Sequence, residues 1–417
     1  MISPILSRLL SDNPVVVTGL GAFSAAGNGV PALWDAAAAG RSPATWDDFP
    51  TVAPGHRLPV CRAPSLEPFR PELQAVRKMD RTIQLGWLAA REAWAQAELE
   101  NPSPERRTGV ILGTSRGPLG KLLESHSRLG GRKLPPTQTA DSTFAALGGA
   151  LAKQFGLNGP GVTVSATCAS AAFAIVFAAE QILLGKAEAM LAGGAEAPLI
   201  PLILSQFDSA GVLGSHEKAE EACRPFDRSR NGFVLGEGSA FLVLESARSA
   251  SARGAKVLAR LSGWSARLEA SGRSGMDRTG DGVVETMKEA LALAGLALSD
   301  VGYLNAHGTG TKLNDADEAM AFVRLAREET RNLVYGSTKP VTGHCLGTTP
   351  ALEAVLCIEA LRRGIAPPSV NCFDLDPALQ LPPPISVAAE LRSSHTMSNS
   401  IGFWGHRAAL VFSRDFS

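Results

Sequence analysis

The sequence predicts an α/β fold built from two similar halves. Three observations predict it. Strand-like runs rich in β-branched residues alternate with helical runs along the chain, the pattern of sheets covered by helices. Of 417 residues, 42 are glycine and only 6% are aromatic, which suits close packing of helices on strands better than a β-sandwich. The second half also repeats the style of the first, which hints at an internal duplication with units 1–250 and 251–417. The alternation makes mostly parallel sheets the expectation.

Each element can be justified in order. "NPVVVTGLGAFSAAGNG" reads as a strand, a glycine-rich turn and a helix start. Gly19 and Gly21 there lack the third glycine of a dinucleotide loop, so nucleotide binding is not expected. "VPALWDAAAAG" is a helix closed by Gly40. Residues 41–71 are proline-rich and read as irregular surface loop. "RKMDRTIQLGWLAAREAWAQAEL" has helical spacing of apolar residues, "TGVILGTSRGP" is a strand running into a turn, and "DSTFAALGGALAKQFGL" is a helix. "GVTVS" is a short buried strand that leads straight into the helical run "ASAAFAIVFAAEQILLG". "AEAMLAGGAEAP" and "GSAFLVLES" are strands, separated by the hairpin-like text "RPFDRSRNGFVLGEG". In the second half "KVLARLSGWSA" is a strand, "DGVVETMKEALALAGL" a helix and "VGYLNAHGTG" a strand ending in a polar loop. "LVYGSTKPVTGHCLGTTPALEAVLCIEALRRG" is strand, loop and helix, and "HRAALVFSRD" is a closing strand.

The bulk numbers exclude several functions. Net charge is zero, which argues against a general nucleic-acid binder. Glu180 and Glu196 interrupt the most apolar runs, so no membrane span is expected. The N-terminal "MISPILSRLLSDNP" is too short and broken for a signal peptide. The six cysteines form no Cys-x-x-Cys pair, so neither a zinc ribbon nor a redox motif is expected. A cytoplasmic, reducing compartment in which they stay thiols follows.

Chemistry concentrates at three places. Cys168 sits between a strand and a helix, where unpaired backbone N–H groups and the helix dipole favour thiolate and can hold an oxyanion. Taken alone, it reads more readily as a buried core cysteine than as a catalyst. Two of the chain's 7 histidines change that balance. His307 in "NAHGTGTKLND" and His344 in "STKPVTGHCLG" lie in polar loops after strands, and Lys339 precedes the second. Strand ends form the active-site rim of α/β folds, so these groups can converge. A protease-like pair needs one histidine and an orienting Asn or Asp, and a metal site lacks repeated ligand spacing.

These stretches resemble the β-ketoacyl-acyl carrier protein synthases, condensing enzymes of fatty acid and polyketide synthesis. The matching text is "VVVTGLGAFSAAG", "RKMDR", "GVTVSATCASAAFAI", "EAMLAGGAEA", "CRPFDRSRNGFVLGEGSAFLVLE", "NAHGTGTKLNDADEA", "GSTKPVTGHCLG", "IAPPSVN" and "SNSIGFWGHRAALVF", in family order over nearly the whole chain. The resemblance implies a thiolase-like, duplicated αβαβα five-layered core, with the cysteine in the first half and both histidines in the second. It implies that Cys168 accepts an acyl group and that the amides of Cys168 and Phe403 form an oxyanion hole. His307 and His344 would promote decarboxylation of a malonyl-carrier thioester, and Lys339 would hold Glu353. Thr309, Thr311, Arg116 and Trp404 would border the pocket or its gate. No metal or separate cofactor is implied, since phosphopantetheine arrives on the acyl carrier protein. The partners implied are that carrier and a second subunit, as a homodimer or as a heterodimer with a sister ketosynthase-like chain. Arg77, Lys78 and Arg81 are candidates for docking the acidic carrier, although a solvated helix face explains them as well.

The chain also departs from the pattern. "GFWGHR" stands where relatives read "GFGGTN" or "GFGGHN", so Trp404 replaces a glycine beside the gating Phe403 and Arg407 replaces an asparagine. Gly211 stands where a basic docking residue is common, and Arg116 where a glycine or aliphatic residue borders the acyl pocket. Arg116 either points away to an ion pair at the dimer interface, the reading slightly favoured, or lines the pocket and selects a short, polar or carboxylate-bearing chain. Two other readings stay open: a non-catalytic partner of the chain-length-factor kind, which typically lacks the cysteine, and a thiolase-fold acyltransferase that does not decarboxylate.

Overall fold

The computed structural model describes residues 4–49, 57–99, 107–129, 131, 133–270, 272, 278–326 and 332–414. Ten strands follow one hydrogen-bonded path. In chain order they are β1 (Val15–Ser24), β2 (Thr108–Gly113), β3 (Gly161–Val164), β4 (Ala189–Glu196), β5 (Gly238–Ser246), β6 (Ala259–Leu268), β7 (Tyr303–Asn305), β8 (Tyr335–Gly336), β9 (His395–Ile401) and β10 (His406–Ser413). Their spatial order is β8-β7-β9-β10-β6-β1-β5-β4-β2-β3. Read outward from the central antiparallel β1–β6 contact, both halves run first strand, fifth, fourth, second, third.

The pairing is mixed rather than mostly parallel. In each half the two outer pairs are parallel and the inner pairs antiparallel. The reason is connection length. β9 returns to β10 through residues 402–405, and so short a link joins only antiparallel neighbours.

The likeness extends to a single atom contact. β1 bulges between Val17 and Gly19, and β6 bulges between Leu261 and Gly263. A Cβ on Gly19 would stand 2.1 Å from the Ala93 carbonyl oxygen, and one on Gly263 would stand 2.2 Å from that of Ala290. In both halves, a helix (Arg81–Gln96 or Asp281–Ala294) therefore lies directly on the first strand, and glycine is what lets the backbones meet.

Side-chain alternation sorts the core into layers. Val15, Val17, Leu410 and Phe412 face a central core shared by both halves. Phe23 and Phe241 face a second core under Arg81–Gln96, whereas Ala409 and Val411 face a third under Asp281–Ala294. The central layer is the helix pair Ser170–Leu183 and Thr349–Arg363. Residues 349–361 of the latter are buried without a break, as expected of a helix covered on every side. The result is the five-layered αβαβα arrangement.

Residues 41–71 are not simply loop. Thr45–Asp48 and Arg57–Cys61 pair antiparallel, and Arg57–Cys61 also pairs in parallel with Leu235–Gly236. Pro59 masks the strand pattern in the sequence, yet Leu58, Val60 and Cys61 are buried. The text read as hairpin-like contributes only the strand Leu235–Gly236 to this small sheet. No described helix is long and apolar enough to cross a membrane.

Candidate active site

The predicted site residues come from strand ends and meet. Cys168 follows β3 by a tight turn and precedes the helix Ser170–Leu183. Thr167 in that turn has φ +50°, a left-handed conformation that costs a threonine energy and is held by its surroundings. Its hydroxyl donates to the Phe403 carbonyl at 3.3 Å, and Ser170 Oγ donates to the Thr167 carbonyl at 2.6 Å. A Cβ on Gly402 would stand 2.1 Å from Thr167 Oγ1 and 3.3 Å from the Cys168 nitrogen. The hairpin tip between β9 and β10 thus sits directly on the cysteine turn. Neither the Cys168 nor the Phe403 amide is among the donors of the surrounding turns and caps.

His307 follows β7. Its amide and that of Gly308 donate to the two oxygens of Glu318 at 2.7 and 2.8 Å, and Asn399 donates to the same carboxylate at 2.7 Å. Burial pushes the Glu318 carboxyl up to about 7 against these hydrogen bonds. Asp315 fixes the next turn by accepting from the amides of Phe226 and Gly310. His344 follows β8 and is clamped by the small sheet: its amide donates to the Val234 carbonyl and its carbonyl accepts from Gly236. The two imidazoles meet edge to face at 5.6 Å, and Phe233 packs on His344 at 4.8 Å.

Lys339 lies between these pieces, wholly buried. Its ammonium donates to Glu353 Oε1 at 2.6 Å and to the His307 carbonyl, and lies 3.4 Å from His307 Nδ1. Burial, opposed by Lys339, pushes Glu353 up to about 7. Burial, then the Lys339 charge, holds both histidines well below their ordinary value, so both are neutral near pH 7. An ammonium is a donor only, so His307 Nδ1 accepts and the ring proton sits on Nε2. His344 Nδ1 meets Thr349 Oγ1 at 3.1 Å.

Cys168 departs from the thiolate expected of its position. Burial pushes the thiol up to about 12, against the pull of Lys339 and Arg116. Desolvation of a cysteine only 8% exposed outweighs the positive charges around it.

Cys168, His307, His344, Phe403, Thr309 and Thr311 line one cavity of about 290 Å³, shared with Phe207, Phe233 and Gly211. Trp404, next to Phe403 in the chain, is not among the residues lining this cavity; it is 55% exposed and has φ +62°. The charged departures split. Arg407 is buried and paired with Glu269 at 2.7 Å, while Arg116 stands with its guanidinium carbon 5.7 Å from the centre of the Phe207 ring. Of the basic cluster, Arg77 and Lys78 are exposed. Arg81 instead turns inward to buried Glu237 at 2.7 Å and to the Ala63 carbonyl, which ties it into the fold. Among the described residues, no group of three His, Cys, Asp or Glu is arranged to hold a metal ion.

Sequence reasoning missed Glu318, Asp315, Thr349 and the two phenylalanines. The acidic pair at the start of the helix after "HGTGTKLN" was the available signal, because carboxylates there can reach back to the loop amides.

Comparison with known proteins agrees with this geometry. Residues 12–250 match the family model of the beta-ketoacyl synthase N-terminal domain, and 258–373 match that of the C-terminal domain. The chain is 34% identical to the 3-oxoacyl-[acyl-carrier-protein] synthase 2 of Coxiella burnetii, over 96% of this chain and 99% of that one. Two solved structures superpose with a TM-score of 0.87, each covering 97% of this chain and 100% of the other. One, 27% identical, is a type II PKS acyl-carrier protein in complex with its ketosynthase bound to the hexaketide. The other, 29% identical, is the ishigamide ketosynthase/chain length factor. The chain belongs to the beta-ketoacyl synthase family and is an acyltransferase-type condensing enzyme of the 3-oxoacyl-carrier-protein synthase kind.

Proposed function

We propose that Cys168, His307 and His344 are the reacting set of this condensing enzyme, fed by an acyl carrier protein. The observation that carries the proposal is that all three line one cavity while Lys339 holds His307 Nδ1 from behind. In the loading step, the Cys168 sulfur attacks the carrier thioester. The carbon–sulfur bond to the carrier's phosphopantetheine breaks, and the cysteine proton ends on that leaving thiol. The amides of Cys168 and Phe403 face the developing oxyanion.

A malonyl-carrier thioester then enters. Its bond to the terminal carboxylate breaks, carbon dioxide leaves, and the electron pair forms an enolate. Nε2–H of His307 donates to the enolate oxygen; His344 does the same when Thr349 donates to its Nδ1. The enolate carbon attacks the acyl-cysteine carbonyl, the bond to Cys168 breaks, and one proton from solvent restores the thiol. The product is a 3-ketoacyl thioester two carbons longer. Phosphopantetheine comes with the carrier, so no other cofactor enters the cycle.

The division of labour follows the two halves, 1–250 supplying the nucleophile and 251–417 the histidines. Arg77 and Lys78, both exposed, supply positive charge for the carrier. A second subunit, identical or a sister chain, fits the edge strand β3, where Val162 is 51% exposed. Cytoplasmic action is consistent with six free thiols.

The test measures carbon dioxide release from malonyl-carrier protein together with the intact mass of the enzyme after acyl-carrier loading. Absence of release from the wild type sinks the proposal. So does full release from the His307→Ala/His344→Ala double variant. A mass gain that persists undiminished in Cys168→Ala, which leaves no nucleophile at that position, counts against Cys168.

A further inference from the structure

Arg116 is a charge without an assigned use. Its backbone amide is committed, donating to Glu196 Oε1 at 3.2 Å, where Ser115 Oγ donates too. Its side chain has no carboxylate partner among the described residues. The guanidinium instead lies over Phe207, whose ring lines the Cys168 cavity. Three charges act on the Cys168 thiol: Lys339 and Arg116 pull it down, and Glu196 pushes it up. Lys339 is already neutralised by Glu353 at 2.6 Å. Arg116 is therefore the cation acting on the nucleophile whose side chain has no ion-pair partner among the described residues. A half-buried guanidinium stacked on an aromatic ring is poorly hydrated and well placed to take an anion.

The space around it points the same way. The turn bearing Arg116 also lines a second, apolar cavity, with Leu112, Gly117, Phe144 and Leu147. That cavity holds only about 20 Å³, room for about one water-sized group. The Phe144 ring packs against the same turn, lying where a Cβ on Gly117 would meet it at 2.9 Å. That cavity has no room for a long alkyl tail.

We propose that Arg116 is a specificity-determining residue that selects a short acyl chain ending in a carboxylate for transfer to Cys168. The carboxylate pairs with the guanidinium, and the methylene groups pack on Phe207. The inference rests on the proposed function of Cys168 as acyl acceptor.

The test follows the mass of the protein during incubation with carrier protein bearing succinyl, glutaryl, butyryl, pentanoyl or dodecanoyl groups. The wild type is expected to load the carboxylated chains about tenfold faster than their neutral counterparts of equal length, the scale of one charge-assisted hydrogen bond. Arg116→Leu is expected to reverse that order and Arg116→Lys to keep part of it. Equal or faster loading of the neutral chains by the wild type overturns the inference while leaving the proposed function intact. An unchanged preference in a folded Arg116→Leu variant also overturns it. If no chain of any kind appears on Cys168, the proposed function falls and this inference with it.

Discussion

Lys339 and Glu353 form an ion pair of 2.6 Å in which neither side chain is exposed to solvent. The same ammonium bonds the His307 carbonyl and approaches Nδ1 of its ring. One buried cation thus fixes both the position of a histidine and the nitrogen that carries its proton. Among the described residues Glu353 Oε2 has no hydrogen-bond partner, so this carboxylate depends on Lys339 for compensation.

Lys339→Met is therefore expected to cost about 3–5 kcal/mol of stability, the penalty for stranding one partner of a buried pair. The double variant Lys339→Met/Glu353→Leu should recover much of that loss but not decarboxylation. Thermal melting and carbon dioxide release check the two halves of the prediction. Recovery of both would mean that Lys339 serves only the fold.

His307→Ala and His344→Ala are each expected to lower decarboxylation by about 100-fold or more, the usual loss when a preorganised donor to an oxyanion is removed. Acylation of Cys168 should persist in both. Loss of acylation alongside decarboxylation would show that the histidines activate the thiol instead.

The pH dependence has a definite sign. Both histidines are held well below their ordinary value, chiefly by burial, so the neutral donors persist as pH falls through 6.5. Carbon dioxide release should stay flat from pH 7.5 down past 6.5, an ordinary histidine value. A fall centred at or above 6.5 would contradict neutral, buried rings. For stability, an unfolded histidine binds a proton below about 6.5 where the folded one does not, so these histidines favour unfolding at acid pH. Glu318 and Glu353, raised to about 7, act in the opposite sense, since the folded protein keeps protons that the unfolded chain has lost.

Alkylation of Cys168 reports its own burial. With the thiol pushed up to about 12, the rate with iodoacetamide should keep rising through pH 9 without a plateau. A plateau near the ordinary thiol value of about 8.5 would refute that environment. Lys339 pulls the thiol down, so Lys339→Met should alkylate more slowly at every pH.

Trp404→Gly is expected to stabilise the protein by up to about 1 kcal/mol, because a left-handed backbone costs a side-chain-bearing residue about 1–2 kcal/mol and the exposed ring buries little. Faster acyl loading should accompany it if Trp404 stiffens the Phe403 gate. Calorimetry and loading kinetics test both statements.

The sequence alone determined the α/β alternation, the doubled plan, and the placing of Cys168, His307 and His344 at strand ends. These follow from local periodicity and from side chains next to glycine-rich turns, which neighbouring residues reveal. It misread the sheet as mostly parallel, because a short return such as 402–405 is a property of pairing, not of local pattern. Only the tertiary structure decided that Thr167 meets Phe403, 236 positions away, or that Arg81 turns inward to Glu237, 156 positions away. It also decided that His307 bears its proton on Nε2 and that Cys168 rests as a thiol. Protonation depends on burial and on charges brought from distant strands, and chain order does not encode those until the strands have packed.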